Sequence, residues 1–191
     1  MKKVFYVDAC LRTGSNTKKI ADAIIAKLSE KYEVETVVLS ESAFPVVNDS
    51  ILNDRANGIV PDEYVEMAKH LANADRLVIA APFWDMSFPS ALKVFLENMS
   101  LFNVTFASNE KECYGLCKAE KALYITTRGM NISTGDYMEQ ATPYLKAIGK
   151  LWGLGEWHVI SAQNMDYSTE EQKAEKVKNA IEEGVELCRE F

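Results

Sequence analysis

Short apolar runs alternate with segments of helical periodicity along the whole chain, and this alternation limits the fold more than any other feature. The runs predict strands at residues 3–7, 34–39, 76–81, 122–126 and 157–160. Apolar residues at helical spacing predict helices at residues 15–29, 63–74, 91–99, 136–152 and 169–189. Most of the strands are apolar throughout, which is typical of a parallel sheet covered on both faces.

Right-handed crossovers between parallel strands leave few topologies for such a chain. We predict a doubly wound α/β fold of the flavodoxin-like type, a five-stranded parallel sheet with helices on both faces, in a single domain over residues 1–191. Residues 44–61 contain scattered Asn, Asp, Gly and Pro and are expected to form a surface excursion. In such sheets a ligand binds at the carboxyl ends of the strands where the winding reverses, here between the first and third strands.

Several helix ends are marked by capping residues. Ser87 is expected to cap the helix at 91–99, with Pro89 in its first turn. Pro143 interrupts the helical pattern of 136–152, which resumes after it. Ser168 or Thr169 is expected to cap the last helix.

Composition excludes several classes of partner. The chain has 191 residues, 48% of them hydrophobic, and a formal net charge of −7. Without a basic run or basic face, we expect no nucleic-acid partner and no attraction to an anionic membrane surface. No apolar stretch has the length to span a bilayer, and Asp8 interrupts the short apolar run near the N-terminus, so we expect a cytoplasmic protein without a secretion signal.

The cysteines fit no common zinc spacing, and we predict no metal site. Cys10, Cys113, Cys117 and Cys188 are expected to be free thiols in a reducing compartment. A redox or metal role for Cys113 and Cys117, four residues apart, stays open as the alternative.

The loop after the first strand is suited to binding an anion. The first N–H groups of a helix have no partner within it and carry partial positive charge. Gly14 allows the turn, side chains add donors, and Arg12 adds a formal charge. The alternative is an ordinary helix start in which Ser15 is only the N-cap. The candidate phosphate-binding residues are Cys10, Arg12, Ser15, Asn16 and Thr17.

Two further loops should meet the first at the same edge of the sheet. The loop after the third strand is aromatic and offers flat walls and backbone donors to a planar ligand. Trp84 is its candidate for facing the ligand, whereas Phe88 is expected to pack under the following helix, and Phe83 could do either. The loop after the fourth strand offers a hydroxyl and a glycine. The candidate residues are Pro82, Phe83, Trp84, Asp85, Met86, Thr127, Arg128, Gly129 and Met130.

These residues resemble a known family. The sequence Ser15-Asn16-Thr17, the run from Ala81 through Ser87 followed by Pro-Ser-Ala-Leu-Lys at 89–93, and Ile125-Thr126-Thr127-Arg128-Gly129 are similar to the FMN-dependent NAD(P)H:quinone oxidoreductases and azoreductases. The likeness runs nearly end to end, and the proline-aromatic loop leading into residues 89–93 is its most specific part.

The resemblance implies a homodimer with one FMN per subunit, each site walled partly by the partner. The segment at residues 101–121 looks suited to covering the partner's site. It implies ping-pong hydride transfer from NADH or NADPH to a quinone, azo or nitroaromatic acceptor. No acid–base pair is needed, since the flavin supplies the chemistry. We accordingly expect no catalytic side chain, and structural roles for His70 and His158.

By position, the resemblance assigns the phosphate to Ser15, Asn16 and Thr17, one side of the isoalloxazine to residues 82–85, and its other edge to residues 127–130.

The sequence departs from the family at three places. Cys10 replaces a frequent serine and donates poorly. Asp85 replaces a common asparagine, and its carboxylate either faces the flavin and lowers its potential or caps the next helix. Arg128-Gly129-Met130 replaces a glycine pair, which leaves the substrate range open. An FMN electron carrier without NAD(P)H oxidation of its own is the alternative function, and nothing in the sequence distinguishes NADH from NADPH.

Overall fold

A single parallel sheet organises the protein, whose computed structural model describes all 191 residues. Five of the seven strands form this sheet in the order β2-β1-β3-β6-β7, and every neighbouring pair is parallel. The predicted flavodoxin-like sheet is therefore confirmed. The strands are β1 (Lys3–Asp8), β2 (Glu33–Val38), β3 (Arg76–Ala80), β4 (Phe106–Ser108), β5 (Cys113–Gly115), β6 (Lys121–Thr127) and β7 (Glu156–Ala162).

Helices cover both faces of the sheet. They are α1 (Asn16–Leu28), α2 (Asp49–Ala56), α3 (Asp62–Asn73), α4 (Ser90–Met99), α5 (Ala141–Trp152) and α6 (Glu170–Leu187). Successive residues of one strand point to opposite faces. Tyr6 of β1 packs in the cluster that contains buried residues of α1 and α6, whereas Val7 packs in the cluster that contains those of α3, α4 and α5.

Two elements were not predicted from the sequence. Residues 44–61 contain helix α2, which has no buried residue and therefore shows no apolar stripe. Asn48 caps this helix, and Arg55 holds it to α4 by donating to Glu97 O at 3.0 Å and Asn98 Oδ1 at 3.1 Å. Strands β4 and β5 form an antiparallel hairpin of three residues each, which is too short for a recognisable period.

The base of this hairpin touches the end of α5 through two glycines. A Cβ added to Gly115 would lie 1.9 Å from the backbone nitrogen of Gly153, so no side chain fits there. Gly153 ends α5 with φ +81, which glycine adopts without strain.

Two predicted helix starts are wrong and one is confirmed. Ser87 does not cap α4, because Pro89 is the N-cap position and the helix has no side-chain cap. Helix α5 begins at Ala141 rather than 136, which places Pro143 in the first turn, where the missing N–H has no consequence. Thr169 caps α6 with a complete capping box.

The carboxyl ends of β1, β3 and β6 lie side by side. Ala9 N donates to Ala80 O at 2.8 Å, Ala81 N to Ile125 O at 3.0 Å, and Phe83 N to Thr127 O at 3.1 Å. The three loops that follow these strands therefore start from one edge of the sheet. None of the helices is both long enough and apolar enough to span a membrane.

Candidate functional site

The first loop, which follows β1, contains a row of backbone N–H groups without hydrogen-bond acceptors. No N–H group from residue 11 to residue 17 has a hydrogen-bond acceptor in the protein. Gly14 turns the chain with φ +72, and Ser15 caps α1 by accepting a hydrogen bond from Lys18 N at 3.3 Å. The N-cap interpretation of Ser15 is thus correct, and it leaves the preceding donors free for an anion.

A buried carboxylate orders the start of this loop. Asp8 is 2% exposed; it accepts a hydrogen bond from Cys10 N at 2.9 Å and forms an ion pair with Lys18 Nζ at 2.9 Å. Lys18 also pairs with Asp22 at 2.6 Å, so its charge is fully engaged. Neither Asp8 nor Lys18 was singled out from the sequence, because their contact depends on the turn of the loop.

The thiol of Cys10 is uncharged at neutral pH. Burial, followed by the nearby charge of Asp8, raises the pKa of Cys10 to about 12. Its sulfur lies 3.7 Å from Ala80 O. Cys10 therefore adds no negative charge beside the free N–H groups.

The three polar side chains at the start of α1 and in the loop have different surroundings. Thr17 is fully buried, and its hydroxyl lies 2.7 Å from that of Thr127, which joins the first loop to the third. Asn16 accepts a hydrogen bond from Lys19 Nζ at 3.1 Å and lines a cleft of about 460 Å³ between α1 and α6. Arg12 is exposed and forms no ion pair.

The second loop contains a tight turn with strained backbone. Trp84 and Ser87 exchange two backbone hydrogen bonds of 3.0 and 2.8 Å. Between them Asp85 has φ 47 and Met86 φ 66, values typical of a two-residue type I′ turn. The N–H groups of Asp85 and Met86 have no acceptor. Backbone strain at non-glycine residues is often found at binding sites.

The side chains of the second loop separate into packed and accessible groups. Phe88 is buried edge-on against Tyr144 at 5.3 Å, which confirms the packing prediction. Pro82, Phe83 and Trp84 are half-buried. Asp85 is exposed and does not cap α4, so the helix-capping alternative for it is wrong.

The third loop is bound along its length to the segment after β7. The carbonyls of Arg128, Gly129 and Met130 accept hydrogen bonds of 3.0–3.1 Å from Met165, Asp166 and Asn164. The N–H groups of Gly129 and Met130 remain free.

Glycine at 129 is required by a neighbour within the chain. A Cβ at Gly129 would lie 2.0 Å from Asp166 Oδ2. The group that approaches this glycine closely is therefore the Asp166 carboxylate. Met130 follows it and is 39% exposed.

Arg128 supports the third loop from the interior. Its side chain is fully buried and donates to Ile132 O at 3.0 Å and Thr134 Oγ1 at 2.9 Å. The guanidinium carbon is 5.7 Å from the centroid of the Phe83 ring. The Arg128 side chain therefore points into the interior and does not present its charge at the edge of the site, so of the residues 127–130 predicted to contact the ring it offers no side-chain charge to a ligand.

The two histidines lie away from these loops. His70 of α3 is 2.9 Å from Glu35, and His158 of β7 is 3.5 Å from Glu156. No group of three or more His, Cys, Asp or Glu side chains is placed to hold a metal ion.

Fold and site together define a flavodoxin-like α/β protein in which a loop of free N–H donors meets an aromatic loop. A family model described as having a flavodoxin-like fold matches residues 2–185. The chain belongs to this family, and curated relatives that it resembles are named FMN-dependent NADH:quinone oxidoreductases.

Two clostridial relatives illustrate the similarity. The FMN-dependent NADH:quinone oxidoreductase 2 of Clostridium acetobutylicum is 31% identical over 201 residues, with 100% of each chain covered. The enzyme of the same name from Clostridium perfringens is 29% identical over 200 residues, again with 100% of each chain covered.

Solved structures support the fold. An azoreductase from Bacillus anthracis superposes with a TM-score of 0.85 at 19% identity, covering 100% of both chains. An FMN-dependent NADH-azoreductase from the same species, solved in complex with FMN, has a TM-score of 0.83 at 21% identity and covers 100% of this chain and 99% of its own.

Proposed function

We propose that this protein is an FMN-dependent oxidoreductase that takes electrons from NADH and passes them, by ping-pong transfer, to quinones, azo compounds or similar flat acceptors. The observation that carries the proposal is the row of free N–H groups at residues 11–17, at the carboxyl end of β1 where the winding of the sheet reverses. The names of the relatives support the same activity and favour NADH as the donor.

The donor set fits the FMN phosphate. Backbone N–H groups of the first loop would bind the phosphate oxygens, helped by Ser15, Asn16 and Thr17. Cys10 remains neutral, so it does not repel the anion. Arg12 is the loop's uncommitted cation, since Lys18 is engaged by Asp8 and Asp22.

The second and third loops fit the isoalloxazine. Phe83 and Trp84 provide flat apolar surface that excludes water, and the free N–H groups of Asp85 and Met86 supply donors in a turn of fixed shape. The free N–H groups of Gly129 and Met130 supply donors on the third loop.

FMN supplies hydride acceptance and release when it is bound. The chain's own residues then have to orient the ring, keep water from it and tune its charge. A site without an acid–base pair is sufficient for such work, because the electrons pass through the cofactor.

We also propose that the protein acts as a homodimer. The segment around the β4–β5 hairpin exposes large apolar side chains, with Phe102 55%, Tyr114 44% and Leu116 38% exposed. Exposed apolar groups gathered on one short segment favour an interface. Phe102→Glu should shift the protein from dimer to monomer, as measured by sedimentation velocity. Tyr137→Glu, at an exposed tyrosine outside the hairpin, is the control and should leave the dimer intact. If Phe102→Glu also remains a dimer, the hairpin segment is not the interface.

The activity test starts from the purified protein. We expect a flavin absorption spectrum, bleaching by NADH without oxygen, and recovery of colour when a quinone is added. FMN binding without NADH oxidation would favour the electron-carrier alternative. A protein that stays colourless and does not bind added FMN at micromolar concentration would overturn both functions.

A further inference from the structure

One ion pair of the protein has both side chains completely buried. Arg128 and Glu139 are each 0% exposed, with Arg128 Nη2 and Glu139 Oε2 3.9 Å apart. Burial lowers the pKa of the Arg128 guanidinium, and the charge of Glu139 opposes that effect. The two charges therefore depend on each other in the interior.

The guanidinium end of the pair touches both loops of the proposed ring site. It lies 5.7 Å from the Phe83 ring of the second loop and donates to Ile132 O and Thr134 Oγ1, just beyond the third loop. The backbone of Arg128 is itself fixed, because its N–H donates to Ala162 O at 2.8 Å and its carbonyl accepts from Met165 N.

The carboxylate end of the pair is linked to the strained turn through the neighbouring residue. Glu139 Oε1 accepts a hydrogen bond from Thr142 N at 2.9 Å, which holds the first turn of α5. The next residue, Gln140, donates its backbone N–H to Met86 O at 2.9 Å. Glu139 is therefore adjacent in the chain to the backbone contact that holds the Asp85–Met86 turn.

The pair is poorly explained as a source of stability. Arg128 Nε and Glu139 Oε2 have no hydrogen-bond partner, so desolvation of the two charges is incompletely compensated. A neutral side chain at 139 would serve equally well to accept the N–H of Thr142. A charged pair at this point needs another reason.

We propose that Arg128 and Glu139 are positioning residues of the FMN site, which hold the Phe83 ring, the Met86 turn and the third loop in one fixed arrangement although neither side chain faces the ligand. This inference rests on the proposed function. It predicts that loss of the charge pair lowers FMN affinity and kcat by more than the accompanying loss of folding stability explains.

The test is a double-mutant cycle with Glu139→Gln, Arg128→Gln and the double variant, measured by FMN titration of folded apoprotein, by kcat and KM for NADH, and by thermal unfolding. Each single variant leaves one buried charge unpaired, and we expect about tenfold weaker FMN binding and lower kcat. The double variant should recover part of the affinity, because both charges are then absent. Glu186→Gln, the same change in the exposed 2.9 Å pair with Arg189, is the matched control and should alter neither property.

The outcomes separate the possibilities. Lower thermal stability with unchanged FMN affinity and kcat would mean that the pair is only structural, and would overturn the inference while the proposed function stands. If the single variants do not fold, Thr134→Val is the second test, because it removes one hydrogen bond of the guanidinium at an exposed residue and keeps the Arg128–Glu139 pair. This variant should weaken FMN binding severalfold. Unchanged FMN binding in Thr134→Val would overturn the inference. A wild-type protein that does not bind FMN overturns the proposed function and this inference together.

Discussion

The hydroxyl of Thr17 lies 2.7 Å from the hydroxyl of Thr127, although 110 positions of sequence separate them. Thr17 belongs to the first turn of α1 and Thr127 ends β6, so this hydrogen bond joins two loops of the candidate site directly. Since Thr17 is fully buried, the bond cannot be replaced by water without rearrangement. The first and third loops are thereby coupled.

Thr17→Val should weaken FMN binding by about tenfold. The variant keeps the shape of the side chain but leaves the Thr127 hydroxyl without its partner, a loss of about 1–2 kcal/mol. FMN fluorescence titration of apoprotein measures the effect. Thr36→Val, at an exposed threonine of β2, is the control. Equal affinities for wild type and Thr17→Val would show that this hydroxyl pair does not support the site.

Asp85→Asn should raise the reduction potential of bound FMN by about 20–30 mV. Asp85 is exposed and caps no helix, and the amide removes a negative charge that opposes the build-up of charge on reduced flavin. Dye equilibration during slow reduction measures the potential. Glu190→Gln, at an exposed carboxylate beside the start of β6 and therefore at the opposite edge of the sheet, should leave the potential unchanged; an equal shift in both variants would show that the effect is not local to Asp85.

Trp84→Ala should impair turnover more than stability. Trp84 is half-buried and outside the two core clusters, so its loss should cost less than about 1 kcal/mol of unfolding free energy. Phe88→Ala is the contrasting variant, because Phe88 is a core residue and its loss should cost about 3 kcal/mol. Steady-state kinetics and urea unfolding compare the two. Normal kinetics with a large loss of stability in Trp84→Ala would assign Trp84 to packing.

Buried thiols should destabilise the protein at alkaline pH. Burial raises the pKa of Cys117 from 9.0 to about 12, so its thiol ionises in the unfolded chain before it does in the folded protein. The unfolding free energy is therefore unaffected below pH 9 and falls as the pH rises from 9 toward 12. Cys117→Ala should reduce the fall between pH 7.5 and 10.5 by about 2 kcal/mol. An unchanged pH dependence in the variant would contradict this cause.

The same burial predicts thiol reactivity. Cys113 is exposed, whereas Cys10, Cys117 and Cys188 have raised pKa values. At pH 8 an aromatic disulfide reagent should modify Cys113 rapidly and the others only after unfolding. The Cys113→Ser variant checks this, because it should lack the fast-reacting thiol. A second fast-reacting thiol in the native protein would argue against this pattern of burial.

The sheet was predictable because its central strands are buried on both faces and contain apolar runs, as at 77–81. The α2 helix and the β4–β5 hairpin were not, since one buries no residue and the other has strands of three residues. A periodic apolar pattern arises where one face of an element is buried, and these elements bury few residues.

The site was predictable as three loops but not in its internal contacts. The Thr17–Thr127 bond depends on the order of the strands, and the Asp8–Lys18 pair depends on the shape of one turn. Arg128 was predicted only by its place in the third loop, and its partner Glu139 lies in an irregular segment that gives no local signal. Long-range pairing decides such positions, and a single sequence does not display it.

Because Gly115 contacts Gly153, the base of the β4–β5 hairpin does not tolerate substitution, whereas its tip does. At its base even a methyl group would meet backbone, so that end is closed to redesign. Its tip at residues 109–112 is exposed and followed by the accessible Cys113. A fluorescent dye attached there would be held on a rigid stem anchored to α5, and in the homodimer proposed above it would report the association of two copies.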